Sequence, residues 1–246
     1  MKRFLSTGLL ALAMVSVAAA QSAEDILNAH IEAVGGADAW AKVENSHTKM
    51  SVSVELPQGV IVLDVEAYQV YPGHFLAMQN LVSAPEGIPD ISSTVFVSPD
   101  EAWVDNFQGR QDISENMAAA LGGNMPNLNH PVQEVELLEQ LDTIEVSAQE
   151  EVNGKMAHVL TINGPVTTKR FYDVETGLLL ATEATSPMGA VRMNVTEYQD
   201  YDGLKMAFIQ EGQMGAMGKQ TIAMTEFHTN IDLTAEKIAE LAKGSD

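Results

Sequence analysis

The chain has 246 residues, with 34 acidic against 13 basic side chains, a formal net charge of −21 and no cysteine. Such a charge repels nucleic acid and anionic lipid headgroups over roughly a Debye length. The missing thiols exclude disulfides, cysteine nucleophiles, iron–sulfur ligation, cysteine zinc sites and lipid attachment through an N-terminal cysteine.

The first twenty residues read as an address. Lys2 and Arg3 precede an apolar run from Phe4 to Ala20 that closes on Val17-Ala-Ala-Ala20, the charged, apolar and small-residue regions of a secretory signal peptide. The run falls short of the roughly 20 apolar residues of a spanning helix. Cleavage near Ala20 and a periplasmic location are expected, with no stable membrane insertion. Removing Lys2 and Arg3 leaves 11 basic residues against 34 acidic, a net charge near −23. Residues 21–246 are expected to form a single domain, long enough to bury a core without disulfides.

Ser22 to Val34 predicts a helix. Ser22 and Asp25 stand at capping-box distance, Ile26, Leu27, Ile31 and Val34 recur at helical spacing, and Gly35-Gly36 ends the run. Ala37 to Val43 predicts a short second helix presenting Trp40. From Ser46 the period becomes two: Val52, Val54 and Leu56 alternate with Ser51, Ser53 and Glu55. Pro57-Gln-Gly59 turns the chain into a second strand, Val60 to Val70. Ile61, Leu63, Val65 and Ala67 lie on one of its faces, Asp64 and Glu66 on the other. After Tyr71-Pro-Gly73 a third strand runs from His74 to Val82. Ser92–Val97 and Glu101–Asn106 pair across Ser98-Pro-Asp100.

The alternation breaks between about Gly109 and Leu141, where a helical cover insert is expected over about 112–141. It holds a weak apolar helix from Ser114 to Leu121, a Gly122-Gly-Asn-Met-Pro-Asn127 linker and a short helix from Gln133 to Leu141. Strands resume at Ile144, and Asn153-Gly154 is the strongest hairpin signal in the chain. Thr167 to Phe208 reads as four strands separated by Glu175-Thr-Gly177, Ser186-Pro-Met-Gly189 and Asp202-Gly203. A last strand, Gly218 to His228, and a terminal helix over about 234–242 close the chain. The expected fold class is mainly β (α+β). It is a strongly curved antiparallel sheet or half-open barrel of about 10–11 strands, with an N-terminal helix and short helices covering the concave face. Curling also limits exposed sheet edges.

A family resemblance rests on Tyr172-Asp173, Glu175-Thr-Gly177-Leu178, Met188-Gly189 and the run Tyr198 to Phe208 with its Asp200-Tyr-Asp-Gly-Leu-Lys-Met206 core. Phe227, Asn230-Ile-Asp232 and the opening Ile26-Leu, His30-Ile-Glu-Ala and Gly35-Gly36 add to it. Together they resemble periplasmic proteins with the LolA/LolB-like lipoprotein-carrier fold. The resemblance implies an open curved sheet with helices packed over its hollow, and a hollow that receives acyl chains.

Catalytic and metal chemistry find no motif. The six histidines (His30, His47, His74, His130, His158, His228) stand at no metal-ligand spacing, and no metal or cofactor is expected. There is no Gly-x-Ser-x-Gly elbow and no phosphate-cradling glycine loop followed by Lys-Ser/Thr. Methionines crowd the last third of the chain, and methionine is over-used where varied apolar partners must be accepted. The expected lining of an apolar cavity is Leu63, Val65, Leu76, Met78, Met117, Leu121, Val191, Met193, Val195, Met206, Phe208 and Met224. Two covers stand over it, the insert and the Pro/Gly-rich loop Ala84 to Pro89 with Ile88.

Three readings stay open. One is a soluble periplasmic, non-enzymatic carrier or binding protein for an apolar small molecule, an acyl chain, a lipid or a lipidated protein. A second is a non-catalytic cell-envelope module whose core is filled and whose partner is a protein. The third is a hydrolase using unassigned carboxylates.

Overall fold

The computed structural model describes residues 21–115, 128–164, 166–186, 189–213 and 218–244. The expected signal peptide, the insert helix and linker from residue 116 to 127, and Pro187-Met188 of one expected turn lie outside the described residues, as do Met117 and Leu121.

Four helices are described: α1 (Ala23–Ala33), α2 (Ala37–Trp40), α3 (Gln133–Leu138) and α4 (Ala235–Lys243). The thirteen strands are β1 (Asn45–Leu56), β2 (Gly59–Val70), β3 (His74–Ser83), β4 (Ser93–Val97), β5 (Ala102–Asn106), β6 (Gly109–Asp112), β7 (Ile144–Val152), β8 (Lys155–Ile162), β9 (Thr168–Asp173), β10 (Leu179–Ser186), β11 (Gly189–Tyr201), β12 (Leu204–Gln213) and β13 (Lys219–Thr229). All belong to one curved, unclosed antiparallel sheet, ordered β6-β5-β4-β3-β2-β1-β13-β12-β11-β10-β9-β8-β7. Two meanders are thus joined where the first strand pairs with the last, Met50 opposite Met224 and Val52 opposite Ile222.

The count exceeds the expected 10–11 strands. The clearest addition is β6, four exposed residues without an apolar alternation. It is held by its ladder to β5 and by the Arg110 guanidinium, 3.9 Å above the Trp103 ring.

Local chemistry fixes the turns and the first helix. Asn153-Gly154 and Asp202-Gly203 both adopt positive φ at each residue (52° and 81°, 54° and 87°), the twist that suits two-residue hairpins. At the start of α1 the Ser22 hydroxyl accepts from the Asp25 amide at 3.1 Å, while the Asp25 carboxylate accepts from the Ser22 amide at 3.1 Å. That reciprocal cap satisfies two donors which a helix start leaves open.

Register sorts the sheet into two faces. Met50 and Val52 stand opposite Val65 and Leu63 of β2. Ile222 stands opposite Gln210 of β12, and Gln210 opposite Val195 of β11. Met193 faces Thr182, Thr182 faces Arg170, and Arg170 faces Leu160. This face carries α1, α2 and α3. Ile26 and Leu27 pack with Leu137, Leu160 and Tyr172, while Ile31, Val34 and Trp40 pack with Leu204, Met224 and Phe227. Each such side chain, fully buried, contributes about 1.5–3 kcal/mol relative to exposure.

The other face carries the register series Tyr68, Leu76, Phe96 and Trp103 across β2 to β5. There α4 sets Ile238 and Ala242 against it. Among the described residues no helix is long and apolar enough to cross a membrane.

Candidate functional site

The face under α1–α3 contains cavities of about 590, 320 and 170 Å³, and both Trp40 and Pro131 border all three. The middle one brings polar and apolar side chains of the sheet and its helices together. Val195 and Met206 line it from the sheet, His30 and Trp40 from the α1–α2 side, and Glu134 and Arg170 at its polar end. A volume near 300 Å³ or more is the scale of small-molecule sites.

The polar end is a buried cluster linking three elements. Arg170 of β9 donates from Nη2 to Glu134 Oε1 of α3 at 2.7 Å, and from Nη1 to Gln133 Oε1. The Tyr172 hydroxyl donates to the same Glu134 oxygen at 2.9 Å. The side chains of Arg170 and Glu134 are only 11% and 3% exposed. From α1, His30 Nδ1 lies 3.0 Å from the Gly177 carbonyl oxygen. A carbonyl only accepts, so Nδ1 carries the proton. In neutral His30 the bare Nε2 therefore faces Glu134 Oε1, 3.7 Å away.

Electrostatics keep this cluster in one charge state near neutral pH. Burial pushes the Glu134 carboxyl upward, but the Arg170 charge, then His30 and the Tyr172 hydrogen bond, outweigh it and hold the group below its ordinary range. Burial dominates at His30 and lowers it, with Glu134 and the Gly177 hydrogen bond pulling the other way. Burial is also the main cause at Tyr172, whose hydroxyl is raised well above its usual range. One donor is left over: Arg170 Nε is buried and has no acceptor among the described residues.

Gly177 explains how α1 comes this close. A Cβ there would sit 2.7 Å from the Ala29 carbonyl oxygen, and the residue has φ of +72°. Further along, the Val34 carbonyl accepts from the Lys205 amide at 2.9 Å and from Trp40 Nε1 at 3.1 Å. The carboxyl end of α1 is thereby tied both to α2 and to β12.

The sequence-predicted cavity residues divide by face. Met206, Phe208 and Met224 gather in the cluster beneath α1 and α2. Val195 joins Met206 on the wall of the 320 Å³ cavity. Val191 and Met193 share the Val195 face by alternation, opposite Ala184 and Thr182. Leu63 and Val65 lie further along the same face, packed with Ala84 and Ile88 of the expected second cover and with Ile91 beyond it. Leu76 and Met78 stand on the opposite face, because Leu76 pairs with Tyr68 and Met78 with Glu66. Leu76 is core beneath α4. Met78 lines a different cavity, of about 990 Å³, with Tyr68, Asn80, Thr94, Lys237 and Leu241.

Sequence reasoning missed His30, Glu134, Arg170 and Tyr172 as a group. A signal was present: His30 follows Ile26 by four on the buried stripe of α1, and Glu134 precedes Leu137 and Leu138 by three and four. Both are polar residues in apolar registers. Among the described residues, no group of three or more histidine and acidic side chains could hold a metal ion.

No protein-family model matches the chain, and no curated protein matches it. Solved structures do. A DUF1329 family protein from Desulfovibrio piger superposes with a TM-score of 0.60 at 12% identity, over 89% of this chain and 97% of its own. A putative outer membrane lipoprotein-sorting protein domain from Vibrio parahaemolyticus gives 0.59 at 13%, over 90% and 99%. A LolA superfamily protein from Nitrosomonas europaea gives 0.59 at 10%, over 88% and 97%. The open sheet with its helical cover is therefore a LolA-like fold, as the sequence resemblance implied.

Proposed function

We propose that this protein is a soluble periplasmic carrier that holds an acyl chain between the sheet and the cover formed by α1, α2 and α3. The observation that carries this reading is the cavity bordered by Trp40, Val195 and Met206. The α3 part of its cover is joined to the sheet by one polar cluster, Glu134 with Arg170 and Tyr172, beside the apolar packing of α1 and α2. A site that must admit and release an apolar chain needs such a removable cover, because loops and short helices open at lower free energy than a core strand. The LolA-like fold shared with the lipoprotein-sorting domain supports it. The Lys2-Arg3 leader and its apolar run support export.

No catalytic step belongs to this reading. A general acid needs a carboxyl pushed upward, whereas Glu134, the acid lining the cavity, is held downward.

The envelope-module reading draws on one observation of its own. Val52, Ile61 and Leu63 are buried under Ala84, Ile88 and Ile91, so that part of the hollow is filled by the protein itself. Native mass spectrometry and lipid extraction of the purified protein separate the two, together with titration of a fluorescent fatty acid. A carrier gives a one-to-one complex with saturable uptake. A protein that extracts empty and takes up no probe is a module.

A further inference from the structure

We propose that Arg170 is the head-group site of the ligand, that the ligand is a single acyl chain ending in a carboxylate, and that Glu134 is the occupant it displaces. This rests on the carrier reading and adds the chemical class of the ligand.

Three observations converge on it. The first is where the positive charge lies. In a chain of net charge −21, the described lining of the 320 Å³ cavity includes two cationic residues, Arg170 and Lys205, beside Val195, Met206 and Trp40. A cavity of mixed polar and apolar lining with a guanidinium on its wall suits an amphiphile with an acidic head.

The second is the state of the guanidinium. Arginine binds a free carboxylate best through two parallel N–H bonds. Here Glu134 takes Nη2 through a single oxygen, which it shares with the Tyr172 hydroxyl, and Gln133 takes Nη1. Nε, the donor that would complete a side-on fork with one terminal nitrogen, is buried without an acceptor among the described residues. A buried unpaired donor is unfavourable, so the closed arrangement leaves Arg170 short of one acceptor that a ligand carboxylate supplies.

The third is where the competitor sits. Glu134 belongs to the cover, not to the sheet, and α3 is a six-residue helix without a side-chain N-cap. Nε is buried in the closed arrangement, so on this proposal a ligand head reaches the fork as the cover lifts. At that moment one carboxylate replaces another on Arg170, and the charge of the site is conserved. A neutral acyl ester can enter the cavity but makes no such exchange.

The test compares palmitate with methyl palmitate, by displacement of a fluorescent probe, in the wild type and in Arg170→Met, Arg170→Lys and Glu134→Gln. The wild type is expected to bind the acid about tenfold or more tightly than the ester, the scale of one retained charge-assisted contact. Arg170→Met brings the acid to within about twofold of the ester, and Arg170→Lys retains part of the preference, since lysine keeps the charge without the fork. Glu134→Gln weakens the internal competitor and tightens the acid more than the ester. Should Arg170→Met fail to fold, Glu134→Gln and Arg170→Lys decide. Equal binding of acid and ester by the wild type overturns the inference while leaving the carrier reading standing. So does a preference that survives Arg170→Met, or a Glu134→Gln variant that favours the ester. If the wild type binds neither, both proposals fall.

Discussion

Replacing Arg170 by Met tests whether the cover is fastened as the structure implies. The substitution leaves the Glu134 carboxylate, 3% exposed, with the Tyr172 hydroxyl and no cation beside it. Removing one partner of a buried ion pair costs about 3–5 kcal/mol, because the remaining charge stays desolvated. For a chain of this size each kcal/mol moves Tm by roughly 2–4 °C, so a fall of about 6–20 °C is expected. The double variant Arg170→Met/Glu134→Leu removes both charges. Apolar replacement of a buried pair is often neutral or stabilising by about 1–4 kcal/mol. Against that, the Tyr172 hydroxyl loses its acceptor, at about 1–3 kcal/mol. The double variant should therefore lie within about 3 kcal/mol of the wild type, more stable than Arg170→Met alone. Urea denaturation at pH 7.5, followed by far-ultraviolet circular dichroism for all four proteins of the cycle, measures the coupling. A single variant that loses less than about 1 kcal/mol, or a double variant whose loss equals the sum of the singles, refutes the buried latch.

Three more outcomes follow from the same geometry. Gly177→Ala puts a Cβ against the Ala29 carbonyl at a residue with φ of +72°; it should destabilise by about 1–3 kcal/mol and speed amide exchange along α1, while an unchanged melt argues that α1 docks elsewhere. Acid should loosen the cover in two stages. His30 is held below its ordinary 6.5, so the folded protein binds fewer protons than the unfolded chain as pH falls through that value, and stability starts to drop there. Glu134 is held below 4.5, so its contribution is full above that pH and is lost as pH falls further, through the lowered value. His30→Gln should flatten the first stage only, read from urea midpoints between pH 8 and pH 4. Met206→Trp places a larger, aromatic side chain on the wall of the 320 Å³ cavity; overpacking costs about 1–3 kcal/mol, and uptake of a fluorescent fatty acid should fall several-fold in a protein that still melts cooperatively.

The sheet was legible because its punctuation is local. Asn153-Gly154 and Asp202-Gly203 require positive φ and announce their hairpins by composition, and the Ser22–Asp25 box announces α1. β6 was not legible, since Gly109–Asp112 has no apolar residue to alternate. The placement of Leu76 and Met78 shows a subtler limit. Alternation says which residues of one strand share a face, but the connecting turn decides how the next strand's faces align. The three-residue turn Tyr71-Pro-Gly73 pairs Val70 with His74, which carries Leu76 to Tyr68 and Met78 to Glu66. They join the face of Asp64 and Glu66, away from Leu63 and Val65. The polar cluster was harder still. His30, Glu134, Arg170 and Tyr172 come from three elements far apart in the chain, one or two residues from each, and no spacing rule joins them before the sheet does.

Photo-crosslinking with a palmitate analogue carrying a diazirine at its tail tests most directly whether the ligand lies between the sheet and α1–α3. Peptide mapping of the irradiated complex should find the label on β11, β12 and β13, at Val195, Met206, Phe208 or Met224, and competition by unlabelled palmitate should remove it. Label confined to Tyr68, Met78 and Leu241, around the larger cavity beside α4 on the opposite face, or no competed label at all, contradicts the proposed site.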